Sequence, residues 1–332
     1  MHAVVLVGGF GTRLRPLTND IPKPMLPVAH RPMIIGLVER LARGGVTDVV
    51  LALGFKPEPF RQAFPDGEHG GVRVHYAVEP EPLDTAGAIA FAARSVGVDD
   101  TFVVANGDII TDLSIAELVA RHRSLGAEAT LHLTPVADPS AFGVVEVDDR
   151  GAVGRFVEKP APGETSSNLI NAGTYVFEPA VLDLIAVDRR VSVERETFPT
   201  LVERASLYGV STTDYWLDTG RPEQYLEANL DVIRGRRGDP TIEAVHPDAT
   251  VDPSAIVVDS VVGAGTVVGP NARVTASALI GEASVEAGAT VDASIVAGVV
   301  GRSATVSNSV IGAGFTVATD AHHRDVRLPA PE

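Results

Sequence analysis

The chain has 332 residues, 45% of them apolar, with a formal net charge of −16 and no cysteine. That length buries a full core and favours one large domain with a smaller one, which excludes a disordered chain; the missing cysteines exclude disulfides, thiolate metal sites and cysteine nucleophiles and fit a reducing compartment; the negative charge works against nucleic acid and anionic membranes, which need a basic footprint. No run of about eighteen apolar residues exists, and Met1 and His2 lead into AVVLVGG without a basic region or cleavage site, so a soluble, unexported, cytoplasmic protein is expected.

In chain order, AVVLVGG, PMIIGLVERLARGG, VTDVVLALG, PEPFRQAF, VRVHYAVE, TAGAIAFAARSV and TFVVANGD alternate strand-like with amphipathic helical runs. This βαβ pattern predicts an α/β, Rossmann-like domain: a mainly parallel mixed sheet with helices on both faces. Ligands bind beyond the carboxyl ends of such strands, so GGFG after the first strand and NGD after the strand near Thr101 should face one crevice. From Ala127 to Phe177 the runs EATLHLTPV, FGVVEVDD, GRFVEKP and INAGTYVFE read as strands of an inserted or mixed-sheet portion. A helix from about Pro222 to Arg234 closes this region, giving a first domain over residues 1–235.

After RGRRGDP the texture changes, and aliphatic residues recur among Gly, Ala, Ser and Thr at Val262, Val268, Val274, Ile280, Val285, Val291, Val300 and Val306. A spacing of about six residues, one inward aliphatic per side and small residues at the corners, predicts a left-handed parallel β-helix of hexapeptide repeats over residues 236–332. A valine-rich sandwich is the alternative. The β-helix offers flat faces and an end for self-association, assembling the protein rather than catalysing. His322 and His323, the only hint of an acyltransferase site there, are read as solvated residues of a polar C-terminal tail.

The segment GGFGTRLRPLTNDIPKPMLPV, Gly8 to Val28, has the make-up of a phosphate cradle. Glycines after a buried strand permit positive φ and let backbone N–H groups approach an anion, while Arg13, Arg15 and Lys23 supply charge. The third glycine of the dinucleotide fingerprint is missing, and no GK[ST] follows as in a Walker A loop. The only lysines in this arginine-using chain are Lys23, Lys56 and Lys159. A lysine in such a chain suggests a site wanting a compact charge; Lys56 is assigned to chance.

With these residues the chain resembles the sugar-1-phosphate nucleotidyltransferases, whose signature is GGxGTRLxPLTxxxPKP, and is most similar to the mannose-1-phosphate guanylyltransferases (GDP-mannose pyrophosphorylases). The resemblance implies that Arg13 grips the triphosphate, that Lys23 lies between the nucleotide and sugar phosphates, and that Leu6, Gly8, Gly9, Gly11 and Thr12 line the nucleotide. EPEPLDTAGAI resembles the family's base-recognition segment E-x-P-L-G-T-A-G and implies Glu79, Pro82, Asp84, Thr85, Ala86 and Gly87 at the base. Asp84 stands where the family has glycine, a residue that would permit positive φ or close approach. Asn106, Gly107 and Asp108, in ANGDII, and Asp218, in a W-x-D-x-G match, imply two aspartates on one Mg²⁺, whose remaining octahedral positions phosphate oxygens and water fill.

On the sugar side the resemblance implies Gly143 against the hexose, Glu158 and Lys159 for sugar hydroxyls and phosphate, and Asn171 with Gly173 alongside. VSVERETFP is similar to the S-I-E-x-E-x-F-P segment of the mannose-using members, with Glu194 a partner for sugar hydroxyls. The implied reaction is transfer of a nucleotidyl group from a nucleoside triphosphate, GTP favoured, to a sugar 1-phosphate, mannose 1-phosphate favoured, by Mg²⁺-assisted in-line displacement. The catalytic residues are then Arg13, Lys23, Asp108, Lys159 and Asp218, in a homo-oligomer joined through the β-helix. The alternatives are a glucose-1-phosphate thymidylyl- or uridylyltransferase, a cyclitol-1-phosphate guanylyltransferase, and a non-catalytic subunit sensing nucleotide sugars. Such subunits commonly lose the charged residues, all of which are present here.

Overall fold

The computed structural model describes all residues except 10, 55–56, 188, 239–241 and 331–332, so Lys56 lies outside the described residues. The chain divides into two compact units, Met1–Gly9 with Ile34–Trp216, and Phe10–Met33 with Leu217–Glu332.

The first unit is built on a ten-stranded mixed sheet. At its centre His2–Leu6 runs parallel to Asp48–Leu53 on one side and Phe102–Asn106 on the other, and Val72–Val78 continues the parallel set. Every residue of Asp48–Leu53 is buried, as a parallel strand covered on both faces requires. The alanine-rich helix Asp84–Ser95 packs on the face carrying Val4, Val50 and Val104. Ser114, whose hydroxyl accepts from the Glu117 amide, opens the helix Ile115–Leu125, and Gly126 in the left-handed region closes it.

Beyond these central strands the pairing is mixed, with Leu207–Ser211 running parallel to Ala129–Pro135. Leu169–Phe177 pairs antiparallel with both Phe102–Asn106 and Ala129–Pro135, and Gly143–Val147 pairs antiparallel with Val153–Glu158. The reason is the connection: the short turn at Asp148–Ala152 joins antiparallel neighbours, whereas a parallel pair needs a crossover of a dozen or more residues. Tyr175, Phe177 and Phe198 form an aromatic core beneath this half, with Tyr175 stacked on Phe177.

The second unit carries the repeat region as three five-stranded parallel sheets, the arrangement of a left-handed parallel β-helix. Val262, Val268, Val274, Val285, Val291, Val300 and Val306 all point into its apolar stack, as the spacing predicts. The slip falls at Ile280. Val262 is aligned with Leu279, and Leu279 with Val296, so Leu279 holds the stacked position while Ile280 is buried beside it.

Buried serines line one corner. The hydroxyl of Ser260 accepts from the Ser277 amide, that of Ser277 from Ser294, that of Ser294 from Ser309, and that of Ser309 from Val326. The preceding corner residues, Asp259, Ala276, Ala293, Asn308 and Asp325, all take positive φ.

The stretch read as a polar tail is the last coil: His322–Arg324 pairs with Thr305–Ser307, and Arg327–Leu328 with Val310–Ile311. A terminal coil has a neighbour on one side only, so its inward positions tolerate polar residues and the periodicity fades.

Candidate active site

Within the second unit the signature loop is tightly folded. Gly11 lies at φ 57°, and a side chain there would press on Thr18 and Lys23. The Thr18 hydroxyl and the Leu14 amide both donate to the Gly11 carbonyl, at 2.7 and 2.9 Å. Thr12–Leu14 and Lys23–Met25 each make one 3₁₀ turn. The helix Pro222–Ile233 holds the far end of the loop: the Tyr225 hydroxyl donates to the Pro27 carbonyl, and Asn229 Oδ1 accepts from the Ala29 amide at 2.9 Å.

This loop brings charges together. Lys23 Nζ lies 3.5 Å from Asp218 Oδ1, with only 8% of the Lys23 side chain exposed. A Cβ placed on Gly220 would come within 2.9 Å of the Arg13 guanidinium and 3.0 Å of Asp218 Oδ1. Arg13, Lys23 and Asp218 therefore converge where Gly220 has no side chain. A buried ion pair is weak support for stability, because desolvation offsets its attraction. A lysine kept in such a place is better accounted for by an anion that it serves. Gly220 is a residue the sequence reading missed, although it stands in the W-x-D-x-G signature.

In the first unit the parallel register aligns Leu6 with Asn106, and the Gly107 amide donates to the Leu6 carbonyl at 2.8 Å. Gly8 and Gly9 thus leave the sheet beside Gly107 and Asp108. Gly9 takes φ 116°, open to any approaching group.

The segment 79–87, read from the sequence as base-recognising, is an ordered turn leading into a helix. Glu79 accepts from the Leu83 amide at 2.8 Å, spanning exposed Pro82. Asp84 adopts φ 63°, the conformation that glycine would supply, and its Oδ1 accepts from the Thr85 amide at 2.8 Å. Aspartate is among the few residues that tolerate this region. The Ala86 and Gly87 amides both donate to the Val191 carbonyl. A Cβ on Gly87 would lie 2.8 Å from the Leu83 side chain, so glycine lets Leu83 pack closely there.

The chain just beyond Val191 delivers Glu194. Its Oε2 accepts from the hydroxyls of Thr85 and Ser192, both at 2.8 Å, and the Thr85 oxygen accepts from the Val193 amide. A residue assigned to the sugar and one assigned to the base are thus joined directly. Their 109-residue separation hid this link from the sequence.

The residues assigned to the sugar from the sequence lie on and beside the antiparallel strands. Gly143 faces Glu158 across the ladder, and a Cβ there would strike Phe156 at 2.5 Å and Glu158 Oε2 at 2.9 Å. Lys159, at φ 51° and exposed, pairs with Glu158 at 3.4 Å. A bulge between Asn171 and Tyr175 contains Gly173 at φ 77°, whose missing side chain leaves room for Asn106. Asn171 donates to the Tyr175 hydroxyl at 2.9 Å, and the Trp216 indole donates to the Ala172 carbonyl at 2.9 Å.

Burial pushes the Tyr175 hydroxyl far above the usual phenol range, and the charges of Glu194, Glu158 and Asp108 push it further. Three carboxylates thus act on one buried corner of the first unit. Among the described residues no group of three or more His, Cys, Asp or Glu is arranged to hold a metal by itself. The donors offered are carboxylate oxygens in small number, which suits Mg²⁺ completed by substrate phosphates and water. No helix among the described residues is long and apolar enough to cross a membrane.

Comparison with known proteins gives a consistent picture. A family model described as nucleotidyl transferase matches residues 2–235. The mannose-1-phosphate guanylyltransferase of Mycobacterium tuberculosis is 41% identical over 301 residues, covering 88% of this chain and 83% of that one. The mannose-1-phosphate guanyltransferase of Gibberella zeae is 40% identical over 267 residues, covering 77% and 72%. Among solved structures, HddC from Yersinia pseudotuberculosis in complex with GMP-PN superposes with a TM-score of 0.58 at 28% identity, covering 69% of this chain and 97% of that one.

Proposed function

Since the chain belongs to the nucleotidyl transferase family, we propose that it transfers the guanylyl group of GTP to mannose 1-phosphate, giving GDP-mannose and pyrophosphate. The observation that carries the reaction class is the convergence of Arg13, Lys23 and Asp218 around Gly220. The choice of GTP and mannose 1-phosphate follows the relatives named for that reaction and the structural neighbour bound to GMP-PN.

An oxygen of the sugar 1-phosphate attacks the α-phosphorus of GTP, a new P–O bond forms, and the α–β anhydride bond breaks to release pyrophosphate. The attacking oxygen is already anionic, so no protein nucleophile is needed. One phosphoanhydride replaces another, so the equilibrium lies near balance. The protein's work is to hold two mutually repelling anions in line and offset their charge. In this reading Arg13 grips the triphosphate, with the backbone of Gly8, Gly9 and Gly11 lining it. Lys23 stands between the two phosphates, and exposed Lys159 reaches the sugar phosphate. Glu158 and Glu194 accept from sugar hydroxyls, Glu194 exchanging the hydroxyls of Thr85 and Ser192 for those of the substrate. Asp108 and Asp218 would hold Mg²⁺, which when bound neutralises phosphate oxygens.

Residues 1–235 form the catalytic region in this proposal, and residues 236–332 join copies into a homo-oligomer in the cytoplasm. Lys23→Ala and Asp108→Ala are each expected to lose about a hundredfold or more in kcat, the scale of one removed electrostatic contact in a transition state. Circular dichroism should show the fold retained. A near-normal rate in either variant contradicts the role assigned to that residue.

A further inference from the structure

We propose that the last coil of the β-helix belongs to the catalytic machinery, with Arg327 a positioning residue that holds Arg13 through its backbone. Arg327 Nη1 donates to the Arg13 carbonyl at 2.9 Å, across 314 residues of sequence. A second contact lies beside it. Pro16 is buried against Gly312, where an added Cβ would come to 2.8 and 2.9 Å from the proline ring. Gly312 is itself fixed to the coil, its amide donating to the Leu328 carbonyl at 2.7 Å, next to Arg327.

The loop's own bonds secure the Gly11 carbonyl, through Thr18 and Leu14, and the Thr12 carbonyl, through the Arg15 amide. The Arg13 carbonyl is secured from the coil. Arg327 also lines a cleft with Pro222 and Glu223, which begin the helix following Asp218 and Gly220. The coil therefore contacts the segment that carries Arg13 and shares a cleft with the start of the helix that follows Asp218 and Gly220. It lies outside residues 2–235, the part of the chain that the family model covers.

This role of Arg327 rests on the proposed role of Arg13 as the group that grips the triphosphate. A side chain that fixes the backbone of such a residue acts on its aim, and a displacement of about 1 Å costs on the order of a hundredfold in rate. Arginine can donate to the carbonyl with one nitrogen while its stem remains along the coil. Lysine retains a donor of similar reach but not the planar fork.

The test uses the full chain, comparing wild type with Arg327→Ala, Arg327→Lys and Gly312→Ala. The first readout is amide hydrogen exchange over residues 11–18. The inference predicts exchange faster by about tenfold there in Arg327→Ala, with protection at Val274 and Val291 unchanged. Gly312→Ala, which leaves Arg327 in place and pushes on Pro16, should loosen the same residues, and Arg327→Lys should recover part of the protection. The second readout is kinetic: Arg327→Ala should lower kcat/KM for GTP about tenfold or more while the KM for mannose 1-phosphate stays within about twofold. In an Arg13→Ala background the Arg327 substitution should add little, since both act through one group. Unchanged exchange in both Arg327→Ala and Gly312→Ala overturns the inference, as does full additivity with Arg13→Ala. A wild-type chain silent with every substrate pair would sink the proposed function, while the exchange comparison still decides whether the coil holds the loop.

Discussion

Asp84 is the residue at which this chain leaves its family's pattern, and its backbone accounts for the departure. The φ of 63° is what the family's glycine supplies, and the carboxylate folds back on the Thr85 amide rather than resisting the turn. Asp84→Gly should therefore keep the turn and the turnover, whereas Asp84→Val, β-branched at positive φ, should cost about 1–2 kcal/mol locally and raise the KM for GTP. Melting temperature and kinetics of the two variants check this. If the carboxylate also reads guanine, Asp84→Asn shifts preference among triphosphates, and unchanged selectivity ends that idea. The site's residue types were legible because they sit in contiguous motifs. The Thr85–Glu194 bond and the room that Gly220 leaves for Arg13 were not, because they depend on segments meeting in space.

His132 gives a prediction of another kind. It is fully buried on the strand Ala129–Pro135, with Nε2 2.9 Å from the Thr212 hydroxyl. Burial pulls its pKa down to about 4, against a smaller upward pull from Asp214. It is neutral when folded, while the unfolded chain binds a proton below about pH 6.5, so stability must fall as pH drops from about 6.5 towards about 4. The loss is on the order of 3 kcal/mol, and His132→Gln should flatten that slope in urea melts at pH 7 and pH 4.5. An equally steep slope in the variant would assign it to other groups.

At the scale of elements, the β-helix shows how far periodicity reads. The inward aliphatics were legible because one side chain per face repeats at nearly fixed spacing. The slip at Ile280 was not, because two adjacent aliphatics, Leu279 and Ile280, both satisfy the pattern and only alignment with Val262 separates them. The serine ladder was hidden because serine also suits exposed corners, and burial is what gives it meaning. Each ladder hydroxyl satisfies an amide of the next coil, so Ser294→Ala should leave the Ser309 amide unpaired and cost about 1–3 kcal/mol. A urea melt of the full chain reads this. A change below about 0.5 kcal/mol, the range of ordinary surface substitutions, would mean that the ladder is ornamental to stability. The antiparallel half of the sheet was legible as strands but not as a pairing order, since short apolar runs specify burial and not neighbours.

At the scale of the molecule, a chain of net charge −16 takes substrates that are anions. In the proposed site this falls to a few cations placed locally, Lys23, Lys159 and Arg13 among them, in a chain with only three lysines. The signature motifs are shared between the compact units: Gly8, Gly9 and Asp108 lie in one, and Gly11, Arg13, Lys23 and Asp218 in the other. A boundary drawn by texture near residue 235 therefore differs from the compact units, because the signature loop is packed with the repeat region and the helix before it. The measurement that bears most directly on the account is pyrophosphate release with Mg²⁺, crossing GTP, ATP, UTP, CTP and dTTP against the 1-phosphates of mannose, glucose and N-acetylglucosamine. The account predicts turnover with GTP and mannose 1-phosphate well above every other pair; a clear preference for another pair, or no release with any, would contradict it.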